Sequence, residues 1–163
     1  MTELYFDDIE IGSELARLDK GRISPAHIMR WSAAVENFHR IHYDRPFAVE
    51  HDKLPDVLIN GSWKQHVLVQ LIKDGVGPLG WLWRLKFRYL KMDVAGDSIK
   101  AVARVTGKHE FGGLGYVTLS IEMTNQNDEV STAGGAIAVL PLRGGRSVPY
   151  PFVAGPGSEA LSL

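Results

Sequence analysis

Residues 60–89 read NGSWKQHVLVQLIKDGVGPLGWLWRLKFRY, and this stretch decides the fold. Its first part carries apolar residues on almost all sides, which predicts a helix from Ser62 to about Asp74 that is buried on most sides. The glycines and the proline of residues 75–80 end that helix. From Trp83 onward, apolar and basic side chains alternate with the period of a strand. A buried helix followed by an amphipathic strand is therefore the centre of the predicted fold.

Three further alternating segments follow this strand, at residues 98–108, 117–124 and 129–140. Short turns rich in glycine, asparagine and aspartate separate them, and strands joined by such turns favour an antiparallel sheet. A mostly apolar helix must bury its surface against such a sheet. The sequence thus predicts an α+β fold in which the sheet wraps around a central helix at about 62–74.

The chain before this unit is predicted to be helical and irregular. Ser24-Pro25 opens a helix, because serine can cap the free amides and proline fits the first helical position. We expect this helix to end near residues 36–38. Residues 37–60 are polar and interrupted by prolines, and a loop of that length is uncommon and often functional. Residues 1–13 are expected to form a lead-in strand or turn.

Length and composition exclude several classes of protein. The 163 residues suit one domain, so we place a domain at residues 1–140 and a Pro/Gly-rich C-terminal tail, expected to be mobile, at residues 141–163. A net charge of -1 argues against nucleic acid, and the absence of cysteine excludes thiolate metal sites and a cysteine nucleophile. With no bilayer-length apolar run and an acidic start unlike a signal segment, we expect no membrane association and a cytoplasmic protein.

Residues 37–44, NFHRIHYD, hold the densest group of side chains that could carry chemistry. His39 and His42 lie here beside Arg40 and Asp44, and histidine can take and give a proton near neutral pH. The spacing fits an acid–base site and an ordinary solvated loop equally well. A metal site is disfavoured, because the spacing matches no common zinc framework and no thiol is available.

Asn60-Gly61-Ser62 is the second candidate segment. Glycine at a helix start lets a ligand approach the backbone, and the free amides there favour a developing negative charge. A carbonyl oxygen that gains negative charge during a reaction would find an oxyanion hole at this place. Taken alone, the glycine is better explained by tight packing, since every helix has an N-terminus.

Together the two segments resemble the MaoC-like acyl-thioester hydratase/dehydratase family, which has the hot-dog fold, and most closely its hydroxyacyl-thioester dehydratase type 2 branch. The family pattern Asp-x-Asn-Pro-x-His-x-Asp corresponds to residues 37–44, and its later His-Gly at a helix start corresponds to residues 60–61. Residues 6–12 and the strand around 85–90 are also similar to the family. The resemblance covers about residues 5–140.

The resemblance implies reversible addition of water to a 2-enoyl thioester of coenzyme A or a carrier protein, with (R)-3-hydroxyacyl stereochemistry and no cofactor. It implies that His42 is the base, that Asn37 helps to position the water and that the Gly61 amide binds the thioester oxygen. The general pattern has Asp at position 37, and an amide cannot take a proton, so His42 must do most of the acid–base work. Substrate contacts are expected from His39, Arg40, Tyr43, Asn60 and Ser62.

Two other functions stay open at this point. The departures at Asn37 and Asn60, where many relatives have Asp and His, allow a non-catalytic hot-dog subunit that binds acyl thioesters or completes a partner's site. A thioesterase with the same fold is the other alternative. Because hot-dog units usually pair, the resemblance implies a homodimer or a hetero-oligomer. The basic strand face of Arg84, Lys86 and Arg88 is either solvated or a contact for the carrier of the acyl group.

Overall fold

The structure is a computed structural model that describes residues 3–163. Five strands form one antiparallel sheet: β1 (Glu14–Arg22), β2 (Trp81–Tyr89), β3 (Ser98–Phe111), β4 (Leu114–Thr124) and β5 (Val130–Pro141). The strand order is β1-β3-β4-β5-β2, so β1 and β2 are the two edges. The main helices are α1 (Pro25–Ala34) and α2 (Gly61–Val76). Over the described residues, none of the helices has the length and apolar character needed to cross a membrane.

Helix α2 packs on one face of the sheet, which we call the inner face, and contacts β1, β2, β3 and β5. The predicted α+β fold with a central helix is confirmed. The buried side of the helix consists of Lys64, Val67, Leu68, Leu71, Ile72 and Val76. Each fully buried leucine or isoleucine stabilises the fold by roughly 1.5–3 kcal/mol relative to an exposed one. The other side is exposed at Ser62, Gln65, His66 and Lys73, so the helix is less enclosed than its composition predicts.

Strand β1 is absent from the sequence prediction. It pairs only with β3, and its register shifts between Glu14 and Ala16 and again between Asp19 and Gly21. Each shift breaks the alternation of side chains, so the period-two signal is lost. Before it, residues 6–8 form a single 3-10 turn rather than a strand.

Helix α1 and the long loop after it follow the prediction closely. Ser24 caps the helix, its Oγ accepting from the His27 amide at 3.3 Å. The helix ends at Ala34, two to four residues earlier than expected. Residues 37–60 are irregular, as predicted, apart from short helical turns at Arg40–His42 and Phe47–His51. This loop carries the first candidate segment.

The expectation of a mobile C-terminal tail is wrong. Residues 141–163 return across the outer face of the sheet, opposite α2. A second hydrophobic cluster forms there from Leu114, Tyr116, Ile137, Val139 and Leu161. Arg84 donates to the Leu161 carbonyl at 2.6 Å, and the Gly155 amide donates to the Tyr116 hydroxyl at 2.9 Å. Contacts with the sheet, rather than secondary structure of its own, hold the tail in place. Its sequence therefore shows no helical or strand periodicity.

Candidate active site

His42 lies in the short helical turn of the long loop and is only 6% exposed. Its Nδ1 is 2.8 Å from the carbonyl oxygen of Leu58. Because a carbonyl oxygen can only accept, Nδ1 must carry a proton and donate it to this bond. The neutral ring therefore has its lone pair on Nε2. This hydrogen bond fixes both the tautomer and the orientation of the ring.

The surroundings of His42 keep its ring neutral. Burial lowers the pKa of His42 below the ordinary value of 6.5, and the nearby charge of His39 lowers it further, while the hydrogen bond to Leu58 opposes the shift. The two imidazole rings lie edge to face with their centres 6.3 Å apart. A neutral histidine with a free Nε2 is the form that can act as a base at neutral pH.

A short extended segment connects this histidine with the start of α2. The Leu58 amide donates to the Ile41 carbonyl at 2.8 Å, and the Ile59 amide donates to the Asp93 carbonyl at 2.9 Å. The segment is therefore held from both sides. Since the Leu58 carbonyl also accepts from the imidazole, the backbone that orients the His42 ring leads directly to Gly61, three residues later.

Gly61 is the first residue of α2, and its amide has no hydrogen-bond acceptor among residues 3–163. Its carbonyl accepts from the Tyr89 hydroxyl at 2.6 Å. A Cβ atom at position 61 would lie 3.0 Å from Cζ and the hydroxyl oxygen of Tyr89, so the close contact favours glycine. The free amide lies at the positive end of the helix dipole, where a developing negative charge is stabilised.

Asn60 precedes this glycine and is 1% exposed. Its Nδ2 donates to the Ser32 Oγ at 3.0 Å, which joins the start of α2 to α1. This burial argues against the direct substrate contact predicted for Asn60. Ser32 is a part of the site that the sequence gives no reason to single out.

Asn37 is half-buried, and its side-chain oxygen accepts from the His39 amide at 3.3 Å. The structure has no hydrogen bond between Asn37 and His42. Across residues 3–163, the Asn37 side-chain NH₂ has no acceptor and stays available to a water molecule or a substrate. Residues 3–163 contain no group of three or more ligating side chains that could hold a metal ion.

Arg40 and Tyr43 make contacts inside the loop. The Arg40 Nη2 lies 2.6 Å from the Asp44 Oδ2, and the Tyr43 hydroxyl donates to the Phe38 carbonyl at 3.0 Å. The ion pair lies at the surface and contributes little to stability. Both contacts order the loop around His42, and a role of either residue in substrate binding stays a prediction.

Ser62 is exposed, and its Oγ accepts from the indole Nε1 of Trp31 at 2.9 Å. The Trp31 ring also lies 5.1 Å from the ring of His66 on the second turn of α2. The second half of α1 therefore lies beside the first turns of α2. A predicted contact of Ser62 with substrate stays a prediction.

A buried ion pair one turn into α2 is missing from the sequence prediction. The Lys64 Nζ lies 2.6 Å from the Asp93 Oδ2, and the two side chains are 3% and 1% exposed. A lysine on the buried side of an apolar helix signals a buried partner. Nothing in the sequence identifies Asp93 as that partner.

A sequence model of hydroxyacyl-thioester dehydratase type 2 matches residues 12–95, just over half of the chain and both candidate segments. No curated protein matches the sequence significantly.

The fold is shared with many solved structures, of which three are described. An (R)-hydratase from A. caviae involved in PHA biosynthesis has a TM-score of 0.72 at 23% identity, covering 82% of this chain and 98% of that one. A MaoC-like dehydratase from Rhodospirillum rubrum has a TM-score of 0.74 at 18% identity, covering 86% of this chain and 98% of that one. The ChsH1-ChsH2 complex from Mycobacterium tuberculosis has a TM-score of 0.69 at 20% identity, covering 82% and 98%. The predicted hot-dog fold is thereby confirmed. The family match shows that the chain belongs to the hydroxyacyl-thioester dehydratase type 2 family, a MaoC-like family of hydratases and dehydratases.

Proposed function

We propose that this protein is an enzyme that reversibly adds water to a 2-enoyl thioester and forms a 3-hydroxyacyl thioester. One observation carries the proposal: the backbone around Leu58 connects a buried neutral imidazole with a free amide. The imidazole of His42 donates to the Leu58 carbonyl, and the free amide of Gly61 follows three residues later. Hydration of an alkene conjugated to a thioester requires a base for the water and a donor for the enolate oxygen. These two groups supply both requirements.

In the proposed reaction, Nε2 of His42 takes a proton from water as the water oxygen bonds to C3. The alkene electrons move toward the thioester oxygen, which receives a hydrogen bond from the Gly61 amide. Asn37 helps to position the water but cannot take its proton. The imidazolium of His42 then returns the proton to C2 as the thioester carbonyl re-forms. The enzyme is thereby regenerated, the (R)-3-hydroxyacyl product is formed, and the reverse sequence is dehydration.

The test follows crotonyl-CoA by its enoyl absorbance while free thiol is measured in the same sample. We expect loss of the enoyl band without thiol release, and a loss of roughly 10²–10⁴-fold in kcat for His42→Ala. His109→Ala is the matched control, because this histidine is exposed and lies on β3. Thiol release would instead assign a thioesterase. If the protein alone shows no hydration and a second hot-dog protein restores it, the chain is a non-catalytic subunit.

The edge of the sheet supports a working unit of more than one chain. Strand β2 pairs only with β5, so its second edge is open within the described chain. Large exposed side chains lie on or just after it: Trp81, Tyr89, Leu90 and Met92. Open strand edges and apolar patches are usually covered. We expect a homodimer or a hetero-oligomer, and light scattering of the purified protein at twice the monomer mass would identify the former.

A further inference from the structure

A groove of about 410 Å³ runs between α1, β1 and the first turn of α2. Basic side chains of Lys20, His27 and Arg30 line it together with the indole rings of Trp31 and Trp63. No acidic side chain of the described chain contributes to its lining. The groove therefore combines positive charge with aromatic faces.

The charges in this groove are not neutralised by carboxylates. Arg30 has no ion-pair partner among residues 3–163, and Lys20 donates to a neutral oxygen, the Gln70 Oε1, at 2.6 Å. The His27 Nδ1 accepts from the Ser24 amide at 3.2 Å, so the Nε2 of the neutral ring carries the proton. All three basic residues can thus offer N–H groups to an anion.

One end of the groove lies beside the candidate active site. The Trp31 indole donates to the Ser62 Oγ at 2.9 Å, and Ser62 directly follows Gly61. His27 and Trp63 also lie with Asn60 around a small closed space next to the groove. A ligand in the groove would therefore reach toward the amide that is proposed to hold the thioester oxygen.

The other end lies further along α2. Gln70, which holds the Lys20 ammonium, is nine residues beyond Gly61 on the same helix. At a rise of 1.5 Å per residue, this separation is about 13 Å along the helix axis. Suppose that the Gly61 amide holds the thioester oxygen and that the pantetheine arm extends along α2. The phosphates attached to that arm would then lie at this end of the groove.

We infer that this groove binds the phosphorylated adenosine end of a coenzyme A thioester. The inference rests on the proposed function and specifies the carrier of its substrate. Lysine and arginine recognise phosphate through charge-assisted hydrogen bonds, and indole faces stack on a purine ring. A carrier protein presents a phosphopantetheine without a purine, so it has no ring that could stack on Trp31 or Trp63.

Binding of adenosine 3′,5′-bisphosphate, which contains no thioester, tests the groove without any catalytic step. We expect wild-type protein to bind it in calorimetry, more weakly as salt is raised, and the double variant Lys20→Ala/Arg30→Ala to bind about tenfold more weakly. Arg88→Ala is the matched control, since this exposed arginine lies on the outer face of the sheet. No binding to wild-type protein, or equal weakening by Arg88→Ala, would overturn the inference.

Kinetics with two thioesters then separate the inference from the proposed function. The ratio of kcat/KM for crotonyl-CoA to that for crotonyl-N-acetylcysteamine should fall about fivefold in Arg30→Ala, through a higher KM for the coenzyme A substrate. The ratio should not change in Arg88→Ala. An unchanged ratio in Arg30→Ala, or a wild-type preference for a carrier-protein thioester, would overturn the inference. Hydration of the truncated substrate would leave the proposed function standing in either case.

Discussion

The Tyr89 hydroxyl donates a hydrogen bond of 2.6 Å to the Gly61 carbonyl, and it thereby ties edge strand β2 to the first residue of α2. The aromatic ring lies so close that a methyl group at position 61 would come within 3.0 Å of it. The contact that fixes the helix start thus also requires the small residue whose amide is proposed to bind the thioester oxygen.

Gly61→Ala should therefore lower kcat without unfolding the protein. The added methyl group displaces either the tyrosine or the helix start, and a misplaced oxyanion donor costs roughly 10²-fold. Crotonyl-CoA hydration and the circular dichroism spectrum measure the two effects separately. The second substitution Tyr89→Ala opens the space and should restore part of the activity. Full activity in Gly61→Ala alone would mean that this amide does not take part.

The pH dependence of the reaction should follow the ionisation of His42. Burial and the charge of His39 hold the pKa of His42 below 6.5. A base must be neutral, so kcat/KM should fall as the pH falls through a midpoint below 6.5. His39→Ala removes the neighbouring charge and should move this midpoint upward, toward 6.5. A wild-type midpoint above 6.5 would contradict the environment described for this ring.

The Lys64–Asp93 pair should contribute strongly to folding because it is buried. Lys64→Ala leaves the Asp93 carboxylate without its charge partner and should lower the free energy of unfolding by about 3–5 kcal/mol. The exposed Lys91–Glu129 pair is the control, and Lys91→Ala should leave the free energy of unfolding almost unchanged. Urea denaturation measures both. A double variant, Lys64→Met/Asp93→Leu, should recover stability relative to Lys64→Ala, and a further loss would contradict this account.

The docked tail should stabilise the fold without affecting the chemistry. Leu161→Ala removes buried side chain from the outer cluster and should lower the free energy of unfolding by about 2 kcal/mol. Leu163→Ala, at a leucine that is 37% exposed, should change it by about 0.5 kcal/mol or less. Hydration of crotonyl-CoA should be unchanged in Leu161→Ala, because the cluster lies on the face opposite α2. Equal stability of the two variants would mean that the tail is not held in solution.

The parts of the fold that the sequence predicts well are those with a local signal. Strands β2 to β5 have clear periodicity, helix α2 is a mostly apolar segment ended by glycine and proline, and Ser24 has the chemistry of a helix cap. Strand β1 and the tail depend on pairing with distant residues, so their own sequence carries little information. The same holds for the site. His42 and Gly61 stand in a recognisable pattern, whereas the contacts that orient them come from backbone and side chains elsewhere, at Leu58 and Tyr89.

The central claim is that His42 adds water to C3 of an enoyl thioester while the thioester stays intact. Reaction of crotonyl-CoA in water labelled with heavy oxygen, analysed by mass spectrometry, tests it most directly. The account predicts a 3-hydroxybutyryl thioester that carries one heavy oxygen at C3 with wild-type protein, and almost none with His42→Ala. Heavy oxygen in a free carboxylate, or equal labelling by His42→Ala, would contradict it.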